Sequence, residues 1–357
     1  MFVITNRVIH ESQSGLNKLG PTPNPAGPNE LRLVEATRQR GRWHIEVLPD
    51  YVDAERKREI GASRRRRVLA SEYAAYKQIA RLRKTHRNLL FFVHGFNNDI
   101  EAVLERSRQF ARAYNVEVLA FSWPANGGGI RGAASYLSDK RDARASVGAL
   151  DRCLAKIFGY LQKIRGKPAK AIAAEANRRF PGDAERRNAY IATRLQRDCP
   201  FTVNMVLHSM GNYLYKQVLA SSVYRGRLLL FDNIVLAAAD ANNAGHGAWV
   251  DRIRARRRVY ITINEDDQAL ILSRLKLGEE QRARLGHYPH NLESRQAAYI
   301  DFTGARGVKR SHAYFEGAPL RNRAVKRFFT RAFNGDRAES GLGFDPATDL
   351  YRIASSR

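Results

Sequence analysis

The segment MVLHSMGNYL (205–214) holds the most reactive arrangement in the chain. A strand-like apolar run leads into Ser209, and a helical pattern begins at Gly211. A serine at such a sharp turn stands clear of the sheet, at the positive end of a helix dipole. There it can serve as a nucleophile, with the Met210 amide donating to an oxyanion. Glycine-x-serine-x-glycine turns of this kind have small residues on both sides. Gly211 supplies one, and Leu207 stands at the other position. A second segment, FFVHGFNND (91–99), ends an earlier strand-like run in His94-Gly95. Gly95 lets the backbone approach a substrate closely. The Phe96 amide is then the second oxyanion donor. His94, Gly95 and Asn97, with Ser122 and Trp123 at another strand end, are candidate substrate contacts.

A serine nucleophile needs a base, and the base needs an orienting carboxylate. The histidines after Ser209 are His246, His287, His290 and His312. His312, in GVKRSHAYFEG beyond the expected last strand, is the best placed to swing back over the sheet edge. His287 and His290 have a His-x-x-His spacing, but Pro289 lies between them and no third ligand sits at a useful distance, so no metal is expected. Three aspartates can serve as the acid. Asp267 is preferred because it ends the later strand, with Asp266 and Asp240 behind it. Aspartates also cap helices. One of the adjacent pair is therefore expected to cap QALILSRL while the other holds the histidine.

Elements must carry these residues to one place. NLLFFVHGF (88–96), VEVLAFSW (116–123), FTVNMVLHS (201–209), DNIVLAAAD (232–240), RRVYITINED (257–266) and AAYIDFTG (297–304) read as strands, the last of these being the final one. Helical spacing follows Asp99, covers about 141–161 and resumes after Ser209. Alternating strands and helices predict an α/β fold with a mostly parallel sheet, whose chemistry sits at the carboxyl ends of the strands. His94-Gly95, Ser122, Ser209, Asp240 and Asp266/Asp267 all fall at such ends. Residues 1–85 read as an N-terminal extension of two strands and a basic helical stretch from Asp53 to Lys84, with Arg64–Arg67 on its face. Residues 86–335 form the main domain, and 336–357 a tail. Within 163–198, ten lysines and arginines face four acids, a basic helical insertion and a candidate lid.

The chain has 357 residues, 44% hydrophobic and 10% aromatic, enough for a large core and too apolar for a disordered chain. Its two cysteines, Cys153 and Cys199, exclude a disulfide scaffold. No apolar run reaches membrane-spanning length and the N-terminus does not read as a secretory signal, so a cytoplasmic protein is expected. Lys+Arg total 61 against 35 Asp+Glu, a net charge of +26. That field attracts anionic substrates, anionic lipid or nucleic acid. Gly127–Gly129 lack the lysine of a phosphate loop and read as a turn.

Five ordered segments resemble the bacterial α/β hydrolases of the esterase/lipase superfamily, in particular a group known as a domain of unknown function. They are His94-Gly95-Phe96-Asn97, Phe121-Ser122-Trp123-Pro124, His208-Ser209-Met210-Gly211-Asn212, Asp267-Gln268-Ala269-Leu270 and Ser311-His312-Ala313-Tyr314-Phe315. The resemblance covers about residues 88–320 and implies the α/β-hydrolase fold with helices on both faces of the sheet. It implies a Ser209–His312–Asp267 triad acting on a carboxylic ester, small or lipid, with no cofactor. Leu207 and the basic insertion depart from the pattern. The rival expectation is a hydrolase-fold protein without catalysis that binds nucleic acid or anionic membrane through its basic surface.

Overall fold

The computed structural model describes residues 1–27, 30–125, 132–198, 201–221, 229–274 and 283–353. Two compact units emerge: Met1–Leu48 with Asn88–Arg152 and Thr202–Arg357, and Pro49–Arg87 with Cys153–Phe201. Gly127–Gly129 and Cys199 lie outside the described residues.

The larger unit is built on one sheet. In chain order its strands begin with β1 (Phe2–Thr5), then β2 (Arg7–Ile9) and β3 (Leu19–Pro23), which pair with each other as a separate ribbon. β4 (Arg32–Gln39), β5 (Arg42–Val47), β6 (Asn88–Val93), β7 (Val116–Ser122), β8 (Val203–His208) and β9 (Phe231–Ala237) follow. β10 (Ala255–Ile263), β11 (Ala297–Asp301), β12 (Gly343–Asp345) and β13 (Leu350–Arg352) complete the set. The sheet has 11 strands in the order β12-β13-β11-β10-β9-β8-β6-β7-β1-β4-β5. Every pair from β13 across to β1 is parallel, and only the two edges are antiparallel.

The sequence dictates the middle of this sheet. β6, β8 and β9 read NLLFFV, VNMVLH and FDNIVLA and are buried along nearly their whole lengths. A strand covered on both faces needs apolar residues at successive positions. Helices α3 (Ile100–Tyr114) and α7 (Met210–Ala220) make crossovers from β6 and β8. α3 starts where the Asp99 side chain accepts from the Ala102 amide at 2.8 Å, an N-cap. The path turns back between β6 and β8: β7 follows β6 on one side, and β8 packs on the other. Such a switch point opens a crevice at the strand carboxyl ends. His94-Gly95 leave β6 there, and Ser209 leaves β8.

Two further short helices of this unit are α8 (Gly247–Val250) and α9 (Gln268–Arg274). α10 (Arg323–Phe333) closes one face of the sheet with Val325, Phe328, Phe329 and Phe333. These rings meet Phe302, Tyr314 and Phe315, with Phe302–Tyr314 centroids 4.8 Å apart and Phe315–Phe110 5.3 Å.

The smaller unit holds α1 (Ala54–Glu59), α2 (Ala70–Thr85), most of α5 (Val147–Arg179) and α6 (Ala184–Asp198). α4 (Gly132–Ala145) precedes α5.

Five expectations need correction. Residues 1–85 hold five strands, β1 to β5, where two were expected, because short strands broken by prolines leave little period to read. The helical stretch over Asp53–Lys84 is two helices, because Gly61 at φ 68° ends α1. Arg64–Arg67 therefore occupy the connection and not a helix face. The helix expected to end near 161 runs on to Arg179. AAYIDFTG is not the last strand: β13 adds beside β11 in parallel, and β12 pairs with β13. Three-residue strands carry too little period-2 pattern to be read from sequence. Among the described residues no helix is long and apolar enough to cross a membrane.

Candidate active site

Ser209 sits between β8 and α7 at φ 53° and ψ −123°, a conformation that side-chain-bearing residues seldom adopt. Strain of this kind costs on the order of 1–3 kcal/mol and needs surrounding structure to hold it. The Ser209 amide donates to Ala237 O at 3.0 Å, and Ser209 O accepts from the Asp240 amide at 3.2 Å. The buried Asn212 side chain donates to Leu207 O and Ser209 O at 3.0 Å each, and lies 3.3 Å from Ala237 O. One amide group thus gathers the carbonyls that the turn leaves at the strand ends. Leu207 is fully buried, in register with Val93 on one neighbour and Leu236 on the other.

The turn is also packed from the side. A Cβ at Gly211 would come within 2.7 Å of His94 O and 2.9 Å of Val93 O. A Cβ at Gly95 would come within 2.6 Å of Ser209 Cβ and 3.2 Å of its Oγ. Two glycines therefore let the β6 exit loop and the β8 turn touch. This puts the loop bearing Phe96 directly against the serine.

His312 lies in the loop after β11. Its Nδ1 is 2.7 Å from Asp267 Oδ2, and Asp267 is fully buried while His312 keeps 23% of its side chain exposed. Asp267 Oδ1 accepts from the amides of Ala269 at 3.0 Å and Leu270 at 3.1 Å. One residue therefore both caps α9 and holds the imidazole, where two adjacent aspartates were expected to divide the tasks. Asp266 is exposed. Asp240 is engaged elsewhere: it accepts from Ser273 Oγ at 2.7 Å and Tyr136 Oη at 3.0 Å, and pairs with the buried Arg284 at 3.3 Å. Of the three candidate acids, only Asp267 is brought to His312.

The histidine loop is fastened at several points. Asn264 donates to Lys309 O at 3.0 Å and Ser311 O at 3.1 Å. His208 Nε2 donates to His312 O at 3.2 Å. Arg106 grips Glu316 through Nε at 2.9 Å and Nη2 at 2.7 Å. The Tyr314 hydroxyl meets Thr262 Oγ1 at 2.6 Å, and Tyr114 donates to Phe315 O. This explains why Tyr314 and Phe315 accompany His312 in the sequence: they are its anchors.

Of the expected substrate contacts, His94, Ser122 and Trp123 are fully buried and bonded inward. His94 Nδ1 donates to Gly95 O at 2.9 Å, and its Nε2 accepts from the Trp123 amide at 3.1 Å. The two rings stack at 2° with centroids 5.1 Å apart. Asn97 is exposed at φ 56°, its amide donating to Asp139 Oδ2 at 3.2 Å. These residues shape the loop rather than line a surface, Asn97 excepted.

Sequence reasoning missed Arg7. This buried arginine on β2 donates to Ser122 Oγ at 2.9 Å, Asn98 O at 2.7 Å, Ala125 O at 3.3 Å and Gly20 O at 3.4 Å. Asn98 in turn donates to Phe96 O at 2.6 Å. A cation in the middle of MFVITNRVI was the available signal, because a buried arginine must be hydrogen-bonded.

Two histidines here are uncharged. Burial, with Arg7 nearby, pulls His94 from 6.5 to about 3, and burial pulls His208 well below 6.5. Below pH 6.5 the unfolded chain binds protons that the folded one refuses. Stability present above that pH is therefore lost as pH falls toward 3 for His94, by about 1.4 kcal/mol per pH unit, and His208 acts in the same direction. Urea midpoints are expected to fall steeply between pH about 7 and about 5. A flat midpoint over that range would contradict the buried neutral pair.

A family model described as an alpha/beta hydrolase of unknown function (DUF900) matches residues 71–165 and 188–319. The chain belongs to this family. The match begins within α2, upstream of the five ordered segments. It spans the β6 exit loop, the Ser209 turn, Asp267 and His312. β1 to β5, with Arg7, lie outside it. No curated protein and no solved structure matches the chain.

Proposed function

We propose that this DUF900 hydrolase cleaves a carboxylic ester through Ser209. The observation that carries the reading is the 2.7 Å bond between His312 Nδ1 and a fully buried carboxylate. With its proton held on Nδ1 toward Asp267, the imidazole keeps the Nε2 lone pair for the serine. Ser209 Oγ attacks the acyl carbon as His312 takes its proton. The negative charge on the carbonyl oxygen is received by the amides of Met210 and Phe96. Met210 is the first residue of α7, so its amide has no partner within the helix. Collapse of the tetrahedral species returns the proton to the leaving alcohol and leaves an acyl group on Ser209. Water, deprotonated by His312, then releases the acid. Asp267 stabilises the imidazolium at both stages.

Labelling with a fluorophosphonate probe tests the reading. The wild-type protein is expected to be labelled, and Ser209→Ala to take no label while keeping its melting temperature. Equal labelling of the two proteins, or none of a folded wild type, would overturn it.

A further inference from the structure

We propose that Arg106 is a positioning residue that fixes the oxyanion loop and the histidine loop against each other, so that the two halves of the site move as one. The inference rests on the serine hydrolase reading above and names what keeps its parts in register.

The argument starts at the amide of Phe96. That N–H belongs to the peptide whose carbonyl is Gly95 O, and a trans peptide points the two in opposite directions. Whatever holds Gly95 O therefore aims the Phe96 amide. Asn98 Nδ2 donates to Gly95 O at 3.3 Å and to Phe96 O at 2.6 Å, beside the 2.9 Å bond from His94 Nδ1 to Gly95 O. Asn98 is itself buried and held twice. Arg7 Nη2 donates to its backbone carbonyl at 2.7 Å, and Arg106 Nη1 donates to its side-chain oxygen at 3.0 Å. A bond to Oδ1 fixes the plane of the side chain, and with it the direction of Nδ2.

Arg106 reaches this loop from α3, because helical side chains lean toward the N-terminus of their helix. Its other contacts go to a different loop. Nε and Nη2 donate to the two carboxylate oxygens of Glu316 at 2.9 and 2.7 Å. The Glu316 amide donates to Ala313 O at 3.1 Å, closing the turn that follows His312. The guanidinium also lies 5.8 Å from the Phe315 ring centroid. Arg106 and Glu316 expose only 18% and 21% of their side chains, so water competes little for this pair. One planar fork thus joins the loop that bears an oxyanion donor to the loop that bears the base. Lysine would keep the charge on a single nitrogen and lose the fork that spans both loops. A misplacement of about 1 Å among reacting groups can lower a rate about a hundredfold.

The test compares the wild type with Arg106→Lys, Glu316→Gln and a control on the same helix, Arg108→Gln, whose ion pair is with Glu105. Turnover is read with 4-nitrophenyl acetate and butyrate, and hydrogen exchange is followed in peptides covering 95–98 and 312–316. Arg106→Lys and Glu316→Gln are each expected to lower kcat about tenfold or more, with KM within about twofold and the melting temperature within a few degrees. Exchange should quicken about threefold or more in both loops in either variant, although Glu316 belongs to only one of them. Arg108→Gln should leave turnover and exchange as they are. A kcat within about threefold of wild type in Arg106→Lys, or exchange in Glu316→Gln that quickens at 312–316 alone, would overturn the inference and leave the hydrolase reading standing. If the wild type neither cleaves ester nor takes up fluorophosphonate, the hydrolase reading has failed instead. Exchange then decides alone: quickening in both loops supports the coupling, and quickening in one or neither overturns it.

Discussion

His312→Ala is expected to lower kcat about 10⁴-fold or more against an activated ester, with KM little changed. The serine would remain at its strained turn, but nothing would take its proton. Asp267→Asn is the sharper companion. Asp267 has two tasks on two oxygens: Oδ1 caps α9 and Oδ2 holds His312. Asparagine caps helices as well as aspartate does, so the melting temperature should move by only a few degrees. Its amide nitrogen, turned toward His312, would donate where a donor already stands. The imidazole would then settle in the wrong tautomer, and kcat should fall about 10⁴-fold. Steady-state kinetics beside thermal unfolding separates the two tasks. A variant that stays folded and keeps more than about a tenth of wild-type kcat would remove Asp267 from the mechanism.

The second large effect belongs to Gly95→Ala. The added methyl would meet Ser209 Cβ at 2.6 Å and His208 O at 2.9 Å. Neither can swing aside, because one is the root of the nucleophile and the other is backbone. The β6 exit loop must retreat, and the Phe96 amide goes with it. Losing one oxyanion donor typically costs 10²–10³-fold in kcat, and about 10²-fold is expected here. A drop of less than threefold would mean that the loop does not serve the reaction.

Much of this arrangement was legible in the residues. β6 and β8 advertise themselves as apolar runs, and the Ser209 turn is marked by Gly211 and Asn212. The Asp267 and His312 segments were visible as short patterns, although nothing in their spacing said that they meet. Sequence also divided the acid's work between two neighbours, because a single carboxylate's two oxygens facing opposite partners leave no trace in one dimension. Arg7 was missed for a related reason. Its four acceptors come from β3, the β6 exit loop and the β7 end, distant in the chain and mostly backbone. Backbone acceptors carry no residue signature. β12 and β13 are short and form by pairing with an edge that already exists.

The double duty of Asp267 ties an event of folding to an event of chemistry. α9 is a short helix, and its first free amides are satisfied by the same carboxylate that aims the imidazole. Helix ends open far more easily than central strands. When α9 frays, its capping carboxylate is released from the helix and the histidine loses its fixed partner, while the 11-stranded sheet stays intact. On the proposed mechanism, heat or mild denaturant is therefore expected to silence activity at a threshold set by two turns of helix, before the molecule as a whole comes apart.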